Sequence, residues 1–155
     1  MEYSDGPGPA ERTDGSSAAQ RVDGSSPAEL GPTASRISRE VVQLHAQLFG
    51  RGPTRAKTHL TEDYALCILE DVFTAAERTL IRAGNSPQVK ATRAAFQDAV
   101  EKDFVAIAEA ATGRKVRALL SQVHLETETA IELFLFETPD DGPPAEDGAD
   151  GATHA

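Results

Sequence analysis

Residues 86–113, SPQVKATRAAFQDAVEKDFVAIAEAATG, decide the fold. Ser86 offers a hydroxyl N-cap and Pro87 a first helical residue, where a missing N–H costs nothing and the fixed φ already suits a helix. Gly113 suits the left-handed position that ends a last turn. Between them Val89, Phe96, Val100, Phe104, Ile107 and Ala111 recur at helical spacing, which predicts one long helix of about seven turns with a single apolar stripe. A stripe of that length must lie on something, and the apolar runs on either side are the natural partners.

Upstream, Thr74-Ala75-Ala76-Glu77 has capping-box spacing and opens a short helix that stops at Gly84-Asn85. Before it, Thr54–Leu60 and Tyr64–Leu69 read as two strands joined by a turn at Thr61-Glu62-Asp63. Earlier still, Ile37, Val41, Leu44 and Leu48 define a first helix capped by Thr33 or Ser35 and ended by Gly50. Downstream, Val116–Leu125 and Thr129–Phe136 flank Glu126-Thr127-Glu128 as a second hairpin. The order predicts an α+β two-layer sandwich: two β-hairpins forming a four-stranded, mainly antiparallel sheet, with one long and two shorter helices on one face. In the last strand Ile131, Leu133 and Leu135 alternate with Glu132, Phe134 and Phe136. The expectation is that Phe134 and Phe136, beside Leu119 or Leu120, project from the uncovered face and favour a dimer or another partner there.

The formal net charge of −10 belongs to the ends of the chain. Residues 1–34 carry six acids against Arg12 and Arg21, residues 137–155 carry six acids and no base, and 13 acids balance 13 bases between them. Residues 1–34 and 138–155 are rich in Gly, Ser, Pro, Ala and Asp, too poor in large apolar side chains to offset ordering entropy, and read as disordered acidic tails around a domain at 35–137. The hexamers 12–17 and 21–26 are near-duplicates, read as drift in low-complexity sequence. A single cysteine, Cys67, requires no oxidising compartment for folding; no run reaches the length of a membrane span, and the first residues lack a signal-peptide pattern. These features predict a cytoplasmic protein without direct membrane insertion. Nucleic acid is disfavoured by a neutral domain between acidic tails.

Several pieces, in order, resemble the MpsC-like family of small bacterial proteins, named after a subunit of a sodium-translocating, membrane-potential-generating system. They are Ile37-Ser38-Arg39-Glu40-Val41-Val42, Gly50-Arg51-Gly52-Pro53 with Ala56 and Lys57, Leu66–Glu70, Thr74–Leu80, Val89-Lys90-Ala91-Thr92-Arg93, Thr112-Gly113-Arg114-Lys115-Val116 and Phe134-Leu135-Phe136-Glu137. The likeness spans about 35–137 and omits both tails. It implies a soluble accessory or regulatory subunit of a membrane cation or inorganic-carbon transport complex, peripheral to the inner face of the membrane. It brings no catalytic residues with it.

Gly50-Arg51-Gly52-Pro53 has the glycines and the guanidinium of an anion-binding turn, but it follows a helix C-terminus, whose partial charge favours cations. The plainer reading is a helix stop and a turn held by Arg51. If the first strands of the two hairpins are neighbours, Arg51, Gly52, Arg55 and Lys57 join Arg114, Lys115 and Arg117 in one basic patch. That patch would serve a partner, an anion or a nucleotide, or be covered by the acidic C-terminal tail. His45, His59, His124 and His154 show no metal-ligand spacing, and Cys67 reads as an inert strand residue. No nucleophile–base pair, metal set or cofactor fingerprint is visible. The expectation is a non-enzymatic partner-binding module, with a small-ligand or nucleotide/anion sensor as the alternative.

Overall fold

The computed structural model describes residues 27–138, with side chains from Leu30 onward. The elements run α1 (Pro27–Phe49), β1 (Arg55–Leu60), β2 (Tyr64–Glu70), α2 (Ala75–Arg82), α3 (Ser86–Thr112), β3 (Val116–His124) and β4 (Thr129–Phe136). The strands form one sheet in the order β1-β2-β4-β3, and every pairing is antiparallel. The helices pack on one face, giving the α+β two-layer architecture that the order of elements predicts.

The first helix starts earlier than its apolar spacing suggests. Residues 27–34, assigned to the N-terminal tail above, are helical. Pro27 sits where a first helical residue needs no N–H, and Ala28, Glu29 and Leu30 are good helix formers. Pro32 stands in the second turn, where it removes one N–H from the hydrogen-bond ladder, and α1 continues through it. The rest of the two tails, including both hexamers, lies outside the described residues.

Local signals set the other boundaries. Thr74 accepts from the Glu77 N–H, and Glu77 accepts from the Thr74 N–H, closing the capping box of α2. Gly113 takes φ +70° and donates its N–H to Glu109 O at 2.8 Å, ending α3. The N-cap of α3 is Asn85 rather than Ser86, without a side-chain cap bond. The chain is still turning out of α2 here, with Asn85 N–H bonded to Leu80 O, so α3 begins one residue early and Pro87 falls second, where its N–H is equally dispensable.

The core lies between the helices and one sheet face. Ile37 and Val41 of α1, Val89, Phe104 and Ala108 of α3, and Val72 and Phe73 from the β2–α2 loop meet Ala65, Cys67 and Leu69 of β2 and Ala130, Phe134 and Phe136 of β4. Phe134 and Phe136 are therefore fully buried under the helices, the reverse of the expectation. Period-two alternation separates two sets of side chains but does not say which set is covered, and both sets of β4 are apolar. The helices take the larger aromatic pair. The helix-free face carries Leu66, Ile68, Ile131, Leu133 and Leu135, half-buried, with Leu120 at 50% and Tyr64 at 37% exposed along its margins.

Candidate functional site

The residues of the anticipated basic patch fall into two separate groups. β1 and β3 are the two edge strands, separated by β2 and β4. At about 4.8 Å per strand step, their axes lie roughly 14 Å apart. Near β1, Arg51 is occupied: its guanidinium donates to the Asp71 carboxylate, with Nη2–Oδ2 at 2.5 Å, and to the carbonyls of Asp71 and Phe73 at 2.9 and 2.7 Å. Gly52 is a close-approach residue, since a Cβ there would sit 3.2 Å from Val42 Cγ1 and 3.3 Å from Val42 O. Arg55 pairs with Glu70 at 3.2 Å on the sheet surface, and Lys57 is exposed on the same strand. Near β3, Arg114 lies over the Phe136 ring at 4.6 Å, Lys115 pairs with Glu109 at 3.1 Å, and Arg117 is exposed. The reading of Gly50–Pro53 as a helix stop and an Arg51-held turn is the one the geometry bears out.

Arg51 belongs to a corner that joins the ends of both hairpins. Arg78 of α2 bonds both Asp71 and Glu128, and Val72 N–H donates to Glu128 O at 3.1 Å. Asp71 and Glu128 take φ values of 58° and 51°, left-handed conformations that the arginines hold in place. Hydrogen bonding from Arg51, reinforced by Arg78, pulls the Asp71 carboxyl down to about 2, and Arg78 lowers Glu128. Arg78 is pushed upward by Glu128 and Asp71. With each charge committed to another, this corner is structural.

The unassigned chemistry sits elsewhere, between α1, α3 and the β3–β4 side of the sheet. A cleft of about 370 Å³ opens there, lined among others by His45, Phe49, Arg93, Gln97, Ser121 and Glu132. α1 turns His45 inward four residues beyond Val41, on the line Ile37–Val41–His45, and the imidazole is buried among Phe49 and Phe104. α3 does the same with Arg93, four residues beyond Val89. Arg93 donates to both Glu77 carboxylate oxygens at 2.7 and 2.9 Å and to Val72 O at 2.6 Å, and its guanidinium stacks on Phe49 and Phe73. Burial opposes ionisation of Glu77, but the bonds from Arg93 and the Thr74 N–H prevail and hold its carboxyl below the usual range. β4 supplies Glu132, 2% exposed, whose Oε2 accepts from Ser121 Oγ and from Gln97 Nε2 at 3.4 Å.

Ser121, Glu132 and His45 do not form a nucleophilic relay, because the carboxylate stands between hydroxyl and imidazole where an imidazole would have to stand. Cys67, behind this group in β2, is no better activated: burial pushes its thiol up to about 11, against a bond from Thr58 and with help from the Glu132 charge. Among the described residues no group of three or more His, Cys, Asp or Glu side chains is arranged to hold a metal ion, and no helix is long and apolar enough to cross a membrane. The sequence reading gave His45, Arg93 and Glu132 no part in a site. Their signal was available: each is a polar residue standing in register with an apolar stripe.

A family profile described as "Na+-translocating membrane potential-generating system (MpsC)" matches residues 30–138. The chain belongs to the MpsC family. It is also similar to the uncharacterized protein YrhF of Bacillus subtilis (strain 168), with 30% identity over 97 residues, 61% of this chain and 80% of that relative. No solved structure matches it significantly. The family resemblance read from the sequence is thus correct. The matched segment begins inside α1, three residues beyond Pro27, and ends with the described residues.

Proposed function

We propose that this MpsC-family chain is a non-enzymatic accessory or regulatory subunit of a membrane cation or inorganic-carbon transport system, working from the cytoplasmic side and docking through the helix-free face of its sheet. The observation that carries the reading is that face. Leu66, Ile68, Ile131, Leu133 and Leu135 form a contiguous apolar surface across the two central strands, and β1 flanks it with Arg55, Lys57 and His59. Contiguous apolar surface with a polar rim is the usual mark of a protein contact. The family description supplies the kind of assembly.

Charge favours a different protein over a second copy of this chain. Within the four strands the only acid on this face is Glu70, already paired with Arg55, so two copies back to back bring Lys57 no free strand carboxylate. The fitting partner is a segment of a transport protein with an apolar centre and an acidic margin. The anion-sensor alternative finds less support, because the two basic groups stand on opposite edges of the sheet.

The test is affinity capture from gently solubilised native membranes, comparing the wild-type chain with an Ile131→Asp/Leu133→Asp variant whose circular dichroism and cooperative melting are retained. Capture of an integral-membrane cation or inorganic-carbon transporter by the wild type, lost in the variant, supports the reading. Recovery of no such transporter, of the chain alone, or of a transporter that the variant captures equally well overturns it.

A further inference from the structure

We infer that the cleft between α1, α3 and β3–β4 is a binding site for a small organic ammonium ion, with Glu132 and His45 as its receptors. The first observation is an unmet bond. His45 is 4% exposed, and its Nε2 is buried without a hydrogen-bond partner, 3.5 Å from Glu132 Oε1. Glu132 Oε2 is served by Ser121 and Gln97, whereas among the described residues no donor bonds Oε1. A buried polar atom left unpaired costs free energy comparable to a lost hydrogen bond, and a group that pairs it is favoured by as much. Oε1 and Nε2 stand 3.5 Å apart with no hydrogen bond between them, a spacing that one nitrogen carrying at least two N–H bonds can bridge when the imidazole proton is on Nδ1. A primary or secondary ammonium meets that requirement, and a carboxylate or phosphate would meet repulsion from Glu132.

The charge of the lining points the same way. Arg93 is neutralised by Glu77, which leaves Glu132, Asp98 and Glu101 against Lys90. The size and walls argue for an organic ion. The cleft, about 370 Å³, is within the range of small-molecule sites and far larger than a dehydrated metal ion, and Phe49, Leu119, Val123 and Ala130 offer apolar surface to a hydrocarbon body. This site lies on the helical layer, opposite the docking face, and stands whether or not a membrane partner is found.

The experiment is isothermal calorimetry on the full chain with n-butylammonium and benzylammonium. The comparators are n-butanol, butyrate, tetramethylammonium and the chlorides of sodium and potassium. The expected result is saturable one-site binding of the primary ammonium ions, at least tenfold tighter than the alcohol, with no binding of butyrate. Tetramethylammonium, lacking N–H bonds, should be weaker by a similar factor. In Glu132→Gln, which keeps an acceptor for Ser121, affinity should fall at least tenfold while Asp98→Asn changes it only a few-fold. Absence of saturable binding, equal binding of butanol, binding of sodium or potassium with equal strength, or full affinity in folded Glu132→Gln overturns the inference. Should Glu132→Gln fail to fold, the wild-type preference for ammonium over alcohol decides.

Discussion

Removing both members of the Arg93–Glu77 pair should cost less than the two single losses added together. Arg93 is 8% exposed and Glu77 14%, and the two make a bidentate pair at 2.7 and 2.9 Å. Arg93→Met keeps the length and stacking surface over Phe49 and Phe73 but deletes the bonds to Glu77 and to Val72 O. It leaves a shielded carboxylate supported only by the N–H and the side chain of Thr74. Stranding one partner of a buried pair costs about 3–5 kcal/mol. With a urea dependence of about 1–3 kcal/mol per molar, the midpoint should fall by on the order of 2 M. Glu77→Gln preserves an acceptor for the Thr74 N–H, and the double variant Glu77→Gln/Arg93→Met has no stranded charge. Its loss should therefore be smaller than the sum of the single losses by about 2–3 kcal/mol, the upper part of the range for directly bonded pairs. Urea unfolding followed by circular dichroism near pH 7, for the wild type and three variants, measures the coupling. A value below about 0.5 kcal/mol, with unchanged slopes, would refute the claim that this pair fastens the α2 cap to α3.

Sheet polarity gives a sharp contrast: Phe134→Ala should cost about 3–5 kcal/mol, and Leu133→Ser, on the helix-free face, about 1 kcal/mol. Equal losses in thermal melts would contradict the face assignment. Asp71, Glu77, Glu109 and Glu128 all have folded-state values below their unfolded ones, with Asp71 near 2. Their contribution is therefore complete above the ordinary carboxylate range and lost as the pH falls through the folded values, so the melting temperature should drop between about pH 5 and about pH 2. Asp71→Asn should flatten that profile as well as lower it, and an unchanged slope would exclude Asp71 as a contributor. Cys67, with its thiol near 11, should be about a thousandth thiolate at pH 8 and react with a disulfide reagent only as the protein unfolds. Rapid labelling of the native state would show the strand to be more open than the structure has it.

Most self-contained backbone signals were legible, although the Ser86 cap of α3 was read one residue late. The Thr74–Glu77 box, the Gly113 cap and the Gly50 stop each depend on residues within one turn, and each stands where it was read. Distant pairing was less legible. Nothing local says that β2 pairs with β4 and sends β1 and β3 to opposite edges, so a basic patch that needed those strands adjacent was not assembled. The inverted sheet face has a similar origin. Both sides of β4 are apolar, and the one acid among them, Glu132, lies on the covered side because Ser121 of β3, Gln97 of α3 and His45 of α1 surround its carboxylate. Arg93 was not placed in the core because the stripe was traced through Phe96, which is 40% exposed, while the guanidinium took the buried place between Val89 and Phe104.

The strand order also bears on how the chain must be made. β1 and β2 can pair as soon as residue 70 exists, because their contacts are local. The other edge of β2 waits for β4, with Tyr64 meeting Leu135 and Glu70 meeting Thr129. During synthesis the first hairpin and all three helices therefore precede the strand that closes the sheet, and Leu66, Cys67 and Ile68 carry an unsatisfied edge throughout that interval. A ribosome stalled before residue 129 would hold a sheet with its central ladder missing.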